Sequence, residues 1–285
     1  MKASKEQSDA SSYIPGEKDL LRCSKSSFFT YAMCPRQYYW KYVASIPRPP
    51  PNEAMIRGTD IHSMLEYGLL DGPDALTVAA AEKGMEDDEG VAGLVQLLHM
   101  IANDMGGLDV VEVEVKHECY ENYEDNEIVW VAIIDAVLRH PDGGLILTEL
   151  KTGGMNVSKL ARTRKELVFY SRVLDLLDYE KVTHFLYIAP DYEVPDQYAN
   201  DKLMAEANKK GKTVWIGRGH GIAIMEPVNT RSFNAFAKSL SDTIATLTIR
   251  QWPMKWNNYF CPVWCDYHLA CESELTGESE GIMNG

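Results

Sequence analysis

Two stretches of this chain gather the residue types that hydrolytic chemistry uses. GGLILTELKTGG (143–154) is an apolar run that ends in Glu149 and Lys151, with Leu150 between them. On a strand, positions i and i+2 share a face. If Leu150 turns to a core, both charges project together from the other side, as a solvated face or as a site. Upstream, Asp135 lies inside WVAIIDAVL, the most apolar stretch of the chain. An ionised carboxylate there is costly unless it is paired or bound to metal.

Register decides whether these residues meet. EIVWVAIIDAVLRH (127–140) and LILTELK read as strands joined by the turn signal PDGG (141–144). A three-residue loop at Asp142–Gly144 pairs Pro141 with Leu145, sets Asp135 opposite Lys151 and Val137 opposite Glu149, and puts all four on one face. A two-residue loop would set Asp135 opposite Leu150, on the other face. Three-residue hairpins with glycine in the left-handed position are common.

The surrounding elements follow from periodicity. SKSSFFTYAMCPRQYYWKYV (24–43) opens with serines suited to N-capping and is broken at Pro35. IPRPPPNEA (46–54) is a stiff connection. Residues 55–71 and 74–105 read as helices, the second broken near Gly84–Gly90. VVEVEVKHE (110–118) alternates as a half-buried strand. Residues 158–178, 195–209 and 230–249 return to helical spacing, with strands at KVTHFLYIAP (181–190) and in TVWIG and HGIAIME (213–226). Grouped strands flanked by helices predict an α/β fold with a mixed sheet under helical cover.

Composition bounds the rest. With 285 residues, 45% of them hydrophobic, the chain can bury a sizeable core. No run approaches the ~20 apolar residues that span a membrane. The start, MKASKEQSDASSY, lacks the apolar core of a secretory signal, so an intracellular, cytoplasmic protein is expected. The net charge of −14, from 42 acidic against 28 basic residues, opposes nonspecific nucleic-acid binding, although KLARTRK (159–165) offers a local basic stripe. Six cysteines stand at 23, 34, 119, 261, 265 and 271. A reducing compartment disfavours reading them as a disulfide framework. Cys261, Cys265 and Cys271 form a C-x3-C-x5-C group in YFCPVWCDYHLACES (259–273).

The run I-D-A-V-L, a glycine turn and L-T-E-L-K-T-G resembles the D…ExK signature of the PD-(D/E)XK nucleases, particularly their RecB-like branch. The resemblance implies a restriction-endonuclease-like mixed central sheet flanked by helices. Asp135, Glu149 and the Leu150 carbonyl would hold Mg2+ or Mn2+, hard ions that prefer oxygen ligands. Such an ion polarises a phosphodiester and lowers the pKa of a bound water, and Lys151 would orient that water or offset charge building on phosphate. RGTDIHSMLEYGL (57–69) is similar to the family's G-x-x-x-H helix, which adds His62 to the metal site. KELVFYSRVLDLL (165–177) resembles its DNA-contacting Q-x-x-x-Y helix. There Tyr170 matches, while Glu166 replaces the usual glutamine and is expected to approach metal or face solvent. Arg162, Arg164 and Lys165 are candidate phosphate contacts.

Cys34, in Y-A-M-C-P-R-Q-Y, together with Cys261, Cys265 and Cys271, is similar to the ligand set of the iron–sulfur nucleases of that branch, including AddB-type and CRISPR-adaptation nucleases. This implies a 4Fe–4S cluster. Four thiolates suit tetrahedral zinc equally; Cys23 and Cys119 read as spares, although Cys23 is close enough in sequence to rival Cys34. Joining residue 34 to 261–271 would close nearly the whole chain into one loop, a structural role.

The expected organisation is a flexible 1–22, an N-terminal cluster-ligand segment 23–54, a nuclease core 55–250 with helical elaboration, a C-terminal cluster-ligand segment 251–273 and a flexible 274–285. The expected function is metal-dependent DNA hydrolysis, exonucleolytic, in recombination, repair or replication. Small stand-alone members of this kind often belong to phages or mobile elements. Two other readings stay open: a non-catalytic nucleic-acid-binding protein stapled by zinc or iron–sulfur, and a subunit active only with a helicase, single-strand annealing or single-strand-binding partner. The chain has no G-x-x-x-x-G-K-[ST] phosphate loop of its own.

Overall fold

The computed structural model describes residues 20–123, 126–153, 157–194 and 197–277. Most of the two expected flexible ends, residues 1–19 and 278–285, lies outside them. The chain divides into two compact units, one of Met1–Pro50, Tyr120–Val131 and Leu240–Gly285, the other of Pro51–Cys119 and Ala132–Ser239.

In the first unit, β1 (Leu20–Ser24) runs parallel to the opening residues of β3 (Asn126–Arg139), pairing Leu20 with Glu127 and Ser24 with Val131. Ser24 ends the strand and caps α1 (Lys25–Met33) through a reciprocal capping box with Ser27. Pro35 cannot continue that helix. It starts α2 (Pro35–Tyr38) instead, which runs on into a π-helical turn, Tyr39–Val43. Tyr31, Tyr38 and Leu247 form a small aromatic core with Tyr42 and Trp252, and the Tyr31 hydroxyl donates to the Thr246 carbonyl. Two short helices, numbered below as α9 and α10, complete the unit.

The second unit carries the larger core. α3 (Glu53–Leu70), capped by Asn52, α4 (Pro73–Glu82) and α5 (Glu89–Met105), capped by Asp88, precede β2 (Val110–Tyr123), which pairs with β3. Beyond them come β4 (Leu145–Leu150), α6 (Val157–Leu176), β5 (Val182–Glu193), α7 (Gln197–Asn208), β6 (Thr213–Ile216) and β7 (His220–Pro227). α8 (Thr230–Thr248) carries the chain from this unit back to the first, where α9 (Phe260–Trp264) and α10 (His268–Thr276) lie. The strand order is β3-β4-β5-β7-β6. β4 and β5 are parallel, with α6 as their crossover, and the other pairs are antiparallel. This is the expected mixed sheet with helical cover. Ile61, Met64 and Leu65 of α3 and Leu94, Leu97 and Leu98 of α5 pack against one face, which includes Ala136, Ile146, Leu150 and Ile188. α6 packs on β4 and β5. Covered on both sides, β4 is buried at every residue. Its polar face is therefore enclosed.

The β3–β4 hairpin differs from the expected register. The His140 amide bonds the Gly144 carbonyl and the Gly143 amide bonds the His140 carbonyl, each at 2.9 Å. The three-residue loop is thus Pro141–Gly143, one position earlier than expected. Arg139 pairs with Leu145 and Ala136 with Thr148, which continues to Asp135 opposite Glu149. Gly144 explains the shift. Its amide bonds Glu180 at 2.9 Å, and at φ +81° a Cβ would lie 2.5 Å from Thr183 Cγ2. It is held against β5 and cannot belong to the loop. A two-residue change in register preserves the face, so Asp135, Val137 and Glu149 still share one.

Beside α6, Glu226 of β7 is buried within a ring of donors. Arg164 donates to it at 2.5 and 2.9 Å, the Tyr187 hydroxyl at 2.7 Å, and Lys212 pairs with it at 2.5 Å. Burial pushes this carboxyl up, but the bonds from Arg164, Lys212 and Tyr187 outweigh it and hold the group down from 4.5 to about 2. Because the folded value is depressed, the stabilisation is complete above about pH 4.5 and is lost as pH falls through about 2. It amounts to roughly 3 kcal/mol. Glu226→Gln is therefore expected to lower urea-unfolding stability by about that amount at pH 7. The gap from wild type should narrow as the pH drops below 4.5; a deficit that is constant with pH would show that the charge is not its source.

Candidate metal centre

β3 delivers Asp135, which is 6% exposed, to the place where β4 ends. Its Oδ2 accepts the Leu150 amide at 2.7 Å, so the side chain takes a donor at the edge of the ladder. Its Oδ1 lies 3.5 Å from Nδ1 of His62, on α3. Gly58, one turn before His62, sets how closely the helix approaches: a Cβ there would stand 3.1 Å from Thr152 Oγ1 in the loop after β4. The spacing from Gly58 to His62 thus places the imidazole over the end of the hairpin.

A residue that the sequence reading did not single out completes this corner. Glu114 Oε1 lies 3.5 Å from His62 Nδ1, and donor atoms of His62, Glu114 and Asp135 all lie within 4.8 Å of one another. The alternation of VVEVEVKHE gives no sign of it, because a glutamate on the polar face of a strand is ordinary. The backbone does give a sign. Glu114 adopts φ +51°, a left-handed conformation that costs a non-glycine residue about 1–3 kcal/mol and concentrates at functional sites. This residue interrupts the strand geometry and turns its carboxylate to His62. Burial alone would push the His62 imidazole down, but the carboxylates of Asp135 and Glu114 outweigh it and hold the group up at about 10.

Glu149 is 1% exposed, on the face covered by α6. Its Oε1 accepts from Lys151 Nζ at 2.5 Å, and the same ammonium donates to Glu166 Oε2 at 2.9 Å. Glu166 therefore faces Lys151, and it is 5% exposed. Tyr170, one turn further along α6, is buried; its hydroxyl is pushed well above its usual range by burial and then by Glu149, Asp135, Glu166 and Glu114. Arg162 and Lys165 are exposed, and Arg162 Nε lies 3.2 Å from Glu166 Oε1. The guanidinium of Arg164 is taken up by Glu226.

One cation braces the elements around the site. Arg57, five residues before His62, binds both Asp88 oxygens at 2.7 Å and both Asp191 oxygens at 2.7 and 3.0 Å. Asp88 caps α5, while Asp191, in β5, also accepts the Gly153 amide at 2.6 Å. A bidentate guanidinium fixes direction as well as distance, so this contact ties α3 to the loop that follows Lys151.

All six cysteines of the chain are free thiols, and four of them belong to the first unit's helical segments: Cys34 between α1 and α2, Cys261 in α9, Cys265 at its end and Cys271 in α10. Among the described residues no three of these thiols lie within 4.8 Å of one another. Burial raises Cys265, and Cys261 and Cys34 add to it. Burial pushes Cys271 up to about 11, with Cys265 and Cys34 adding and Trp40 opposing. The Asn257 amide donates to Cys261 Sγ at 3.3 Å. Cys23, fully buried in β1 and pushed up to about 12 by burial, is a core residue.

Among the described residues no helix is long and apolar enough to cross a membrane. A family model described as PD-(D/E)XK nuclease superfamily matches residues 22–272. A solved structure described as "Crystal structure of SSO0001" is 16% identical and covers 92% of this chain and 89% of that one, with a TM-score of 0.39, a likeness too distant to carry an argument. No curated protein matches the chain at a significant level.

Glu114→Gln is expected to weaken Mn2+ binding about tenfold or more, measured by calorimetry or by the loss of the free-ion electron paramagnetic resonance signal. An affinity equal to that of the wild type would remove Glu114 from the ligand set.

Proposed function

The chain belongs to the PD-(D/E)XK nuclease superfamily, and from that premise we propose that it is a divalent-metal-dependent deoxyribonuclease acting as an exonuclease in recombination, repair or replication. The observation that carries this reading is the convergence of His62, Glu114 and Asp135 donor atoms within 4.8 Å, beside a Glu149–Lys151 pair. One imidazole and a set of carboxylates, lodged where carboxylates need a countercharge, fit Mg2+ or Mn2+. His62, Glu114, Asp135, Glu149 and the Leu150 carbonyl would hold the ion. When bound, it would supply Lewis-acid polarisation of a phosphodiester and acidify a water.

The other roles belong to the chain's own groups. Lys151, held to Glu149, orients the attacking water and offsets charge on the scissile phosphate. Tyr170 supports the carboxylates from below. Arg162 and Lys165, exposed along α6, contact the DNA backbone.

The same reading assigns a 4Fe–4S cluster to Cys34, Cys261, Cys265 and Cys271. Its support is the presence of these four free thiols in the first unit and the Asn257 amide aimed at Cys261 Sγ, since N–H donors stabilise thiolate sulfur and tune such clusters. The cluster is structural, joining the two ends of the chain in the first unit. Strand opening is left to a helicase or a single-strand annealing or binding partner.

Two measurements test these assignments. Anaerobically purified wild type should degrade end-labelled linear DNA with Mg2+ or Mn2+, spare closed circles and stop with chelator, while Lys151→Ala is inactive. Cutting of circles would replace exonuclease with endonuclease action, and no cleavage by the wild type would return the site to a binding or partner-dependent role. The same preparation should be brown, with iron lost in Cys271→Ser; colourless protein with stoichiometric zinc would overturn the iron–sulfur assignment alone.

A further inference from the structure

Glu166 is where this chain departs from the Q-x-x-x-Y pattern, and its surroundings indicate what an acid does there. Lys151 follows β4, and its amide is fixed by the Ile188 carbonyl at 2.8 Å. The rest of the residue is a long, flexible stem with much rotamer freedom to lose. Its ammonium is held at two points, Glu149 Oε1 at 2.5 Å and Glu166 Oε2 at 2.9 Å. These two holds are not equivalent. Glu149 also stands beside the metal centre. A carboxylate that ligates a divalent ion gives up much of its attraction for a neighbouring ammonium, and like charges repel more strongly where water is excluded.

We infer that Glu166 is the positioning residue for Lys151, keeping the ammonium aimed at the reacting centre once Glu149 serves a divalent ion. This rests on the nuclease reading of the site. Three features suit Glu166 to the task. It is buried, so its interaction is little screened. It projects from α6, a different element from the strand that carries Glu149, so it stays in place when Glu149 reorients. Its second oxygen is anchored by Arg162 at 3.2 Å, which fixes the carboxylate plane from the solvent side. A glutamine here would offer Lys151 an acceptor of similar shape without the charge, and charge-assisted bonds are about twice as strong as neutral ones. Such an amide would compete poorly with the repulsion of an ion nearby.

The test is lysine-selective 15N–1H spectroscopy of side-chain ammonium groups on the full chain, with and without Mg2+. The Lys151 signal is identified by its absence in Lys151→Ala. DNA cleavage is measured on the same samples. In wild type the Lys151 signal should persist in both states, protected by Glu166 when Glu149 is engaged. In Glu166→Ala it should survive without Mg2+ and vanish on its addition. There kcat should fall about ten- to a hundredfold, the usual cost of a misplaced catalytic group, with KM and the Mg2+ requirement little changed. Glu166→Gln, close in shape and so a guard against misfolding, should lie between the two. A wild-type signal that is absent or lost with Mg2+, or a Glu166→Ala signal and kcat that both match wild type with Mg2+, would overturn the inference. If wild type fails to cleave DNA at all, the nuclease reading falls, and the spectra still decide whether Glu166 holds Lys151.

Discussion

The hydrogen bond from the Leu150 amide to Asp135 Oδ2, at 2.7 Å, is the contact on which the site depends. A nearly buried carboxylate on an otherwise apolar strand must be answered by donors or by charge. Asp135 takes its first donor from the backbone of β4, at the point where the β3–β4 pairing has run out to Ala136 and Thr148. That bond fixes the end of one strand against the other. It therefore fixes where Glu149 and Lys151 stand relative to Asp135. The remaining oxygen of Asp135 faces His62, which brings α3 into the same arrangement.

Charge accounts for the shape of the surroundings. Asp135, Glu149, Glu114 and Glu166 all act on the buried Tyr170 hydroxyl, so four carboxylates crowd a small volume. They are met by Lys151, by Arg162 on Glu166 and by His62, whose imidazole is held up at about 10. Three cationic groups do not balance four carboxylates, and a divalent ion taking the place of the His62 proton would relieve the excess. The left-handed turn at Glu114 belongs to the same logic. Backbone strain of this kind persists only where the surrounding structure over-determines it, and here the strained residue supplies one of the carboxylates facing His62.

The parts of this molecule that were legible in the sequence are those written in local pattern. Asp135 stands out because it interrupts an apolar run, and the Glu149–Lys151 spacing assigns a face, whatever the even-numbered shift in register. The breaks at Pro35 and near Gly84–Gly90 follow from backbone chemistry, and both recur in the element boundaries. What was hidden is long-range. Gly144 leaves the hairpin loop because Thr183, almost forty residues later, crowds it. Glu114 looks like any polar residue on an alternating strand until its backbone conformation is seen. β1 goes unpredicted because LLRCS is too short for a period to register. Its Cys23, a spare that could rival Cys34 by position, is a core residue.

The basic stripe KLARTRK shows how a charge run can mislead in both directions. Read as a patch, it promises phosphate contacts; read as a solvated face, it promises nothing. On α6 its members do different work. Arg164 is committed to a buried carboxylate of β7, and Arg162 reaches Glu166 while remaining exposed. Lys165 stays at the surface. In a chain of net charge −14, this leaves few cations on α6 for a nucleic-acid backbone. Electrostatic attraction at the site then depends on the ion itself: the carboxylates that would repel a phosphate in its absence are the ones that would hold it. On this reading, metal binding and substrate binding are coupled by charge, and Arg162 lies at the join, touching the carboxylate that holds Lys151 and presenting its other side to solvent.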